Sequence, residues 1–282
     1  MSKDLHSRYA GWALVTGASS GIGEAFALAA AARGFPVALV ARRRDRLEAL
    51  AARIAAEHRV ETLVVAEDLS QRGACERVRD ALGAREVGLL VNNAGFGFSG
   101  RFAENDAEDD EQMIAVNCAS VVRLTHLFLP AMLARGRGGV IVVASVAGYQ
   151  ATPWFAIYGA TKAFDLVFAE ALASELRGTG VAVVAVSPGE TRTEFHERAH
   201  AKRQFRGHEP GFVAEVALRA LGRKDTVVPG VLNKVQSVLA RFFPRRFATD
   251  VTGLVLARML RKSSPGELRR KPYGGATSSR SP

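Results

Sequence analysis

Tyr158-Gly-Ala-Thr-Lys162 sets a phenol and an ammonium four residues apart in a segment whose composition reads as helix. That spacing puts both side chains on one helical face. A free tyrosine titrates near pH ~10 and a neighbouring cation favours its phenolate, so such a pair is suited to giving up and recovering a proton. Ser145, at the end of an apolar run upstream, adds a hydroxyl that can donate to an oxygen on which negative charge develops. Each residue also has a plainer reading. Tyr-x-x-x-Lys arises often as a solvated helical pair, and serine more often bonds local backbone.

A second constellation lies near the start. Trp12-Ala-Leu-Val-Thr16-Gly17-Ala-Ser19-Ser20-Gly21-Ile22-Gly23 is an apolar run that enters a glycine-rich turn and continues into a helix-like segment, 24–33. A strand, a tight turn and a helix N-terminus together make a pyrophosphate site: backbone N–H groups point at the anion, the helix dipole favours it and glycines let it approach. The chemistry implied is dinucleotide binding. The spacing departs from the general G-x-G-x-x-G fingerprint, and glycines are also ordinary turn residues.

In chain order, Thr16-Gly-x-x-x-Gly21-x-Gly23, Asn92-Asn93-Ala94-Gly95, Asn117, Ser145, Tyr158-x-x-x-Lys162 and Pro188-Gly189-x-x-x-Thr193 resemble the short-chain dehydrogenase/reductase family over roughly residues 11–230. Tyr9-Ala-Gly-Trp12, Val87-Gly-Leu-Leu-Val-Asn-Asn and Tyr158-Gly-Ala-Thr-Lys-Ala-Phe164 are similar to the branch holding hydroxysteroid dehydrogenases and long-chain 3-oxoacyl-CoA reductases. The resemblance implies Tyr158 as general acid in reduction, Ser145 as a second donor to the carbonyl oxygen, Lys162 reaching a ribose hydroxyl, and Asn117 holding a water in a proton relay behind the lysine. It further implies cofactor contacts at Gly17, Ser19, Ser20, Gly21, Ile22, Gly23, Asn93, Ala94, Gly95, Tyr158, Lys162, Pro188, Gly189 and Thr193. Asp68 matches the family's adenine-contacting acid, although Asp68-Leu-Ser70 is equally a helix N-cap signature.

These residues need a scaffold that brings them to one place. Apolar runs bounded by turn signals recur at 12–15, 36–40, 63–66, 87–91, 140–144, 181–186 and 226–228, separated by amphipathic stretches. Such alternation predicts a doubly wound α/β (Rossmann) fold: a parallel sheet of about seven strands, helices on both faces, and ligands outside the carboxyl ends of the strands. The glycine loop, Arg42, Asp68, 92–95, Ser145 and 188–193 each follow a predicted strand directly.

One position bears on the choice of cofactor. After the second strand an acidic residue would bind the ribose hydroxyls of NAD and repel a 2′-phosphate. Here the strand ends Val40-Ala41-Arg42-Arg43-Arg44. Arg42 is suited to pairing with a 2′-phosphate, and three arginines at a helix N-terminus oppose its dipole unless an anion joins them. NADP(H) is therefore expected.

The chain of 282 residues is 48% hydrophobic, enough for one large core. It holds no run of eighteen apolar residues and its start lacks the apolar core of a secretory signal, which predicts a cytoplasmic protein. Cys75 and Cys118 are the only cysteines and read as small buried side chains. Of the net charge of +10, +9 lies from Lys234 onward, where eleven basic residues meet two acidic ones. The catalytic portion is nearly neutral, so nucleic acid is not the expected partner. Within 231–262, apolar stripes at Val231, Val235, Val238, Leu239 and Phe242 and at Val251, Leu254 and Val255 are flanked by arginine. They fit packing against the domain or a sister subunit, favoured for the first stripe, or peripheral contact with an anionic membrane, favoured for the second. Residues 263–282 read as a disordered tail. His196, His200 and His208 lack a zincin pattern, and no metal is expected.

The resulting reading has a catalytic domain over 1–230, a basic helical extension over 231–262, and a homo-oligomeric NADP(H)-dependent oxidoreductase acting on a hydrophobic ketone or secondary alcohol. Phe96, Phe98, Tyr149, Trp154 and Phe155 suggest an apolar pocket, or plain core packing. The alternatives are a 3-oxoacyl thioester reductase and, in a different class, a non-catalytic cofactor sensor or interaction protein.

Overall fold

The computed structural model describes residues 4–195, 207–239 and 242–261. The apolar runs form seven strands, β1 (Trp12–Thr16), β2 (Val37–Ala41), β3 (Thr62–Ala66), β4 (Val87–Asn92), β5 (Gly138–Val143), β6 (Val181–Val186) and β7 (Thr226–Val227). They lie in the order β3-β2-β1-β4-β5-β6-β7. Every pairing is parallel, with Val15 opposite both Leu39 and Val91. The expected doubly wound sheet is present. Strand β5 starts ahead of its predicted bound, since Gly138 and Gly139 pair with Val181 and Ala182 but carry no hydropathy signal.

Strands buried on both faces read as continuous apolar runs because alternate side chains enter different cores. Ala13, Val15, Leu39, Val91, Ile141 and Val184 point into one, closed by α2 (Gly21–Ala31), α3 (Arg44–His58) and α8 (Pro210–Ala220) through Phe26, Leu47, Ile54, Val213 and Ala217. Leu14, Val40, Leu90, Val140, Val142 and Val183 point into the other, closed by α4 (Ala74–Leu82), α6 (Ser120–Ala134) and α7 (Ala156–Glu175) through Val78, Leu124, Phe128, Met132, Leu166 and Ala169. A fully buried side chain such as Phe26 contributes about 2–3 kcal/mol of apolar transfer. Arg33 of α2 grips Glu215 of α8 with two parallel hydrogen bonds of 2.9 and 2.7 Å.

Two short elements complete the scaffold: α1 (Asp4–Arg8) and α5 (Ala107–Ile114), the latter running through a π-helical turn at Ala115–Ala119 into α6. This continuous helix, Ala107–Ala134, is long and apolar enough to cross a bilayer. It nonetheless sets Leu124, Phe128 and Met132 into the core against the sheet, which makes it a core helix. The extension forms α9 (Val231–Leu239) and α10 (Arg245–Arg261). The tail expected over 263–282 lies outside the described residues.

Candidate active site

The turns after β1 to β6 converge at the carboxyl edge of the sheet around a cavity of about 1030 Å³. At the β1–β4 switch point Thr16 joins the first two motifs. Its hydroxyl donates to Val91 O at 3.2 Å and accepts from the backbone N–H groups of Asn93 and Ala94, each at 2.9 Å. Asn93 Nδ2 donates to Thr16 O at 2.8 Å. The side chain of Asn93 therefore ties the glycine loop to β4. Gly23 lies beneath that bond, and a Cβ there would strike Gly17 O and stand 2.5 Å from Asn93 Nδ2.

Ser20 precedes α2 without a side-chain cap, because its hydroxyl instead accepts from Arg43 Nη2 at 2.9 Å. The first N–H groups of α2 are thus left to an anion in the cavity. Arg43 in turn stands at the N-cap of α3 and makes no capping bond there. Its guanidinium reaches back to Ser19 Oγ at 3.0 Å and Ser19 O at 3.3 Å. Arg42, the residue singled out in the sequence, lines the cavity with its side chain 3.9 Å from the Asp68 carboxylate. Asp68 Oδ1 accepts from both N and Oγ of Ser70, at 3.0 and 2.8 Å, the local turn that its sequence context offered.

Lys162 is buried and its Nζ donates to Val143 O at 2.8 Å and Asp165 Oδ2 at 2.9 Å. An ammonium has three N–H groups, and the third is left for the cavity that Lys162 lines. Burial alone would push the Lys162 pKa down, but Asp165 and the nearby Tyr158 outweigh it, and the pKa stands above the ordinary lysine value. Burial lifts the Asp165 carboxyl above its usual range despite the ammonium beside it. Ser145 Oγ accepts from Ala147 N at 3.1 Å and makes a long 3.5 Å bond to Pro188 O, so it is loosely committed. Tyr158 lies between the rings of Phe195, 5.2 Å away, and Phe155, 6.4 Å away.

Asn117 is anchored by the protein itself. Its side chain is fully buried and bonded to protein: Nδ2 donates to Phe96 O at 2.9 Å and Thr161 Oγ1 at 3.0 Å, while Oδ1 accepts from Phe96 N at 3.1 Å. The amide pins the turn after β4 to α7. It stands in the π-helical turn, a local distortion common at functional sites.

Among the sequence-predicted positions, Gly17, Ser19, Ser20, Gly21, Ile22, Arg42, Asp68, Asn93, Ala94, Gly95, Ser145, Tyr158, Lys162, Pro188, Gly189 and Thr193 line the cavity. Gly23 and Asn117 do not, and lie behind it. Arg43 was named in the sequence only as one of three arginines awaiting an anion, and Asp165, Glu194 and Phe195 were not assigned to the site. His196 and His200 lie outside the described residues, and the main chain of His208 pairs with that of Glu190 and Arg192 by hydrogen bonds of 3.0 and 2.9 Å.

The far end of the cavity is apolar. Phe96, Tyr149 and Phe155 line it, and the extension roofs it with Val231, Leu232, Val235, Leu239, Phe243, Phe247, Val251 and Val255. Gln150 Nε2 donates to Thr252 Oγ1 at 2.7 Å, holding α10 across the mouth. The extension's two stripes therefore spend most of their apolar residues on the cavity. All eight stripe residues are exposed, and Val238, Phe242 and Leu254 lie outside the lining.

Comparison with known proteins agrees with this architecture. The very-long-chain 3-oxoacyl-CoA reductase of Anas platyrhynchos is 38% identical over 182 residues, covering 63% of this chain and 58% of the relative. The chain thus spans less than two thirds of that relative's length. The 7beta-hydroxysteroid dehydrogenase of Collinsella aerofaciens is 38% identical over 190 residues, 67% of this chain and 72% of the relative. Among solved structures, a 7beta-hydroxysteroid dehydrogenase studied for stereoselectivity superposes with a TM-score of 0.82 at 32% identity, covering 88% of this chain and 98% of that one. A short-chain dehydrogenase from Sphingobium yanoikuyae in complex with NADPH gives 0.75 at 33% identity, covering 94% and 99%. The family model described as short chain dehydrogenase matches residues 11–204. With that match over more than half of its length, and with the glycine loop, the Tyr158–Lys162 pair and the seven-stranded parallel sheet in place, this chain belongs to the short-chain dehydrogenase family of oxidoreductases.

Proposed function

We propose that this protein is an NADP(H)-dependent oxidoreductase that interconverts a bulky hydrophobic ketone and its secondary alcohol, with Tyr158 as general acid/base. The observation that carries this reading is the division of one cavity: an anion-binding end at Ser19, Ser20, Arg42 and Arg43, an apolar end under α9 and α10, and Tyr158, Ser145 and Lys162 also in its lining. The residues present fit the cofactor. The uncapped N-terminus of α2 suits a pyrophosphate, and the arginines after β2 suit a 2′-phosphate. Gly95, close to Lys162 Nζ, leaves room for a ribose. When bound, the nicotinamide supplies the hydride.

The chain's own residues supply the rest. In reduction the Tyr158 hydroxyl gives its proton to the carbonyl oxygen as that oxygen gains charge, and Ser145 Oγ turns from its long bond with Pro188 O to donate to the same atom. Lys162, kept protonated by Asp165, stabilises the phenolate left behind and holds a ribose hydroxyl with its third N–H. Asn117 keeps the turn after β4 in place beneath the site. The apolar roof excludes water and binds the substrate body.

The test is NADPH oxidation over ketones of increasing bulk, a long 3-oxoacyl thioester included, in wild type and Tyr158→Phe. Turnover is expected with bulky ketones and to fall about a hundredfold or more in the variant, with NADPH affinity little changed. No oxidation with any carbonyl would favour a non-catalytic role. Exposed Phe164 and Val167 on α7 support a homo-oligomer, to be checked by light scattering. Exposed Val238, Phe242 and Leu254, with Arg245, Arg246 and Arg258 nearby in the chain, support peripheral contact with an anionic membrane. Co-sedimentation with anionic vesicles that is lost at high salt is the expected result; no binding at low salt ends that reading.

A further inference from the structure

The β2–α3 turn holds a feature that the catalytic reading leaves unused. Arg43 Nη1 lies 2.9 Å from Glu194 Oε2, and Arg46 Nη1 bonds the other oxygen, Oε1. The hydrogen bond from Arg46, reinforced by Arg43, pulls the Glu194 carboxyl down to about 2. The same Arg43 holds the hydroxyls of Ser19 and Ser20 at 3.0 and 2.9 Å. Glu194, Arg42, Arg43, Ser19 and Ser20 all line the cavity. Guanidinium groups and hydroxyls thus gather at its polar end, and the anion they hold belongs to the chain itself. Of the other nearby carboxylates, Asp68 accepts from Ser70 at 2.8 Å and stands 3.9 Å from Arg42, while Glu24 pairs with Arg53 and Glu48 with Arg44, each at 3.7 Å.

We infer that the Glu194 carboxylate is an internal competitor for the 2′-phosphate of the cofactor, and so sets how strongly this protein prefers NADP(H) over NAD(H). The inference rests on the proposed placement of NADP(H) in the cavity. Carboxylate and phosphate are interchangeable partners for an arginine fork, but both cannot use the same N–H groups, and two anions a few ångströms apart repel. The 2′-phosphate reaches Arg43 only when Glu194 leaves, so its apparent affinity is the intrinsic one multiplied by the fraction of molecules in which Glu194 is unseated. A nucleotide without that phosphate has no such competition. Neutralising Glu194 therefore strengthens the phosphate's share of binding.

The experiment is equilibrium titration of the full chain with 2′,5′-ADP and with 5′-AMP, in wild type and Glu194→Gln, at one ionic strength. The variant is expected to bind 2′,5′-ADP about tenfold more tightly, with 5′-AMP affinity within about twofold of wild type. An equal preference for 2′,5′-ADP in both proteins, or weaker binding of it by the variant, overturns the competition and leaves the NADP(H) assignment standing. If neither protein prefers 2′,5′-ADP to 5′-AMP, the NADP(H) assignment itself falls and the inference with it.

Discussion

Tyr158 owes its position to a residue with no side chain. A Cβ on Gly97 would stand 2.6 Å from Tyr158 Cδ2 and 2.9 Å from Cγ, so the ring lies flush on the backbone after β4. Gly97→Ala is expected to shift the ring and lower turnover at least tenfold while leaving cofactor affinity unchanged, since an ångström of misplacement is costly in a proton transfer. Unaltered turnover would show that the ring has room. Behind the tyrosine, Asp165 offsets the cost of burying Lys162. Asp165→Asn removes that support, burial then dominates, and Lys162 loses its proton at lower pH. The alkaline limb of the turnover profile should accordingly move to lower pH than in wild type, and an unmoved limb removes Asp165 from the proton-handling group. Tyr158, Lys162 and Ser145 were legible because their spacing and place after predicted strands are properties of the chain. Asp165 was not, because a lone acid three residues beyond a lysine also reads as a solvated helical pair.

Two helix starts at the scale of elements give up local stability to serve the cavity. Ser20 and Arg43 are the N-caps of α2 and α3, and neither caps its helix. Both side chains meet each other instead. The fold compensates on the outer side, where Arg33 binds Glu215 and joins α2 to α8. The hydrogen bond from Arg33 holds the Glu215 carboxyl below its ordinary value. A depressed folded value means that the pair stabilises the fold above the unfolded carboxyl's pKa, and that this contribution is lost as the pH falls through the lowered one. Because the Glu215 side chain is 36% exposed, solvent screens it. Glu215→Gln should cost about 1 kcal/mol near neutral pH, a fall of about 2–4 °C in melting temperature for a chain of this size. The difference between variant and wild type should shrink on acidification; a difference independent of pH would assign the loss to packing.

At the scale of the whole molecule, the extension adds apolar side chains to one end of the cavity. A chain ending at residue 229 keeps the sheet, the glycine loop and Ser145, Tyr158 and Lys162 but loses the roof formed by α9 and α10. It is expected to bind NADPH as the full chain does, to reduce a small ketone at a similar rate, and to show a KM for a bulky ketone raised about tenfold or more. Equal losses for both ketones would place the extension in the stability of the domain. The amino-acid sequence alone determined the fold class, the seven strands to within two residues at their ends, and most of the cavity-lining motif residues. It did so because a doubly covered parallel strand is an unbroken apolar run, and ligand-binding turns follow such runs directly. Only the tertiary structure decided that Arg43 folds back on the glycine loop, that Glu194 closes on it, that the Asn117 amide bonds the Phe96 backbone and the Thr161 hydroxyl, and that most of the extension's apolar stripe residues line the cavity. Each of these is a meeting of side chains from different elements, set by sheet order and helix placement, and no local periodicity or motif spacing encodes which residues such a packing brings together.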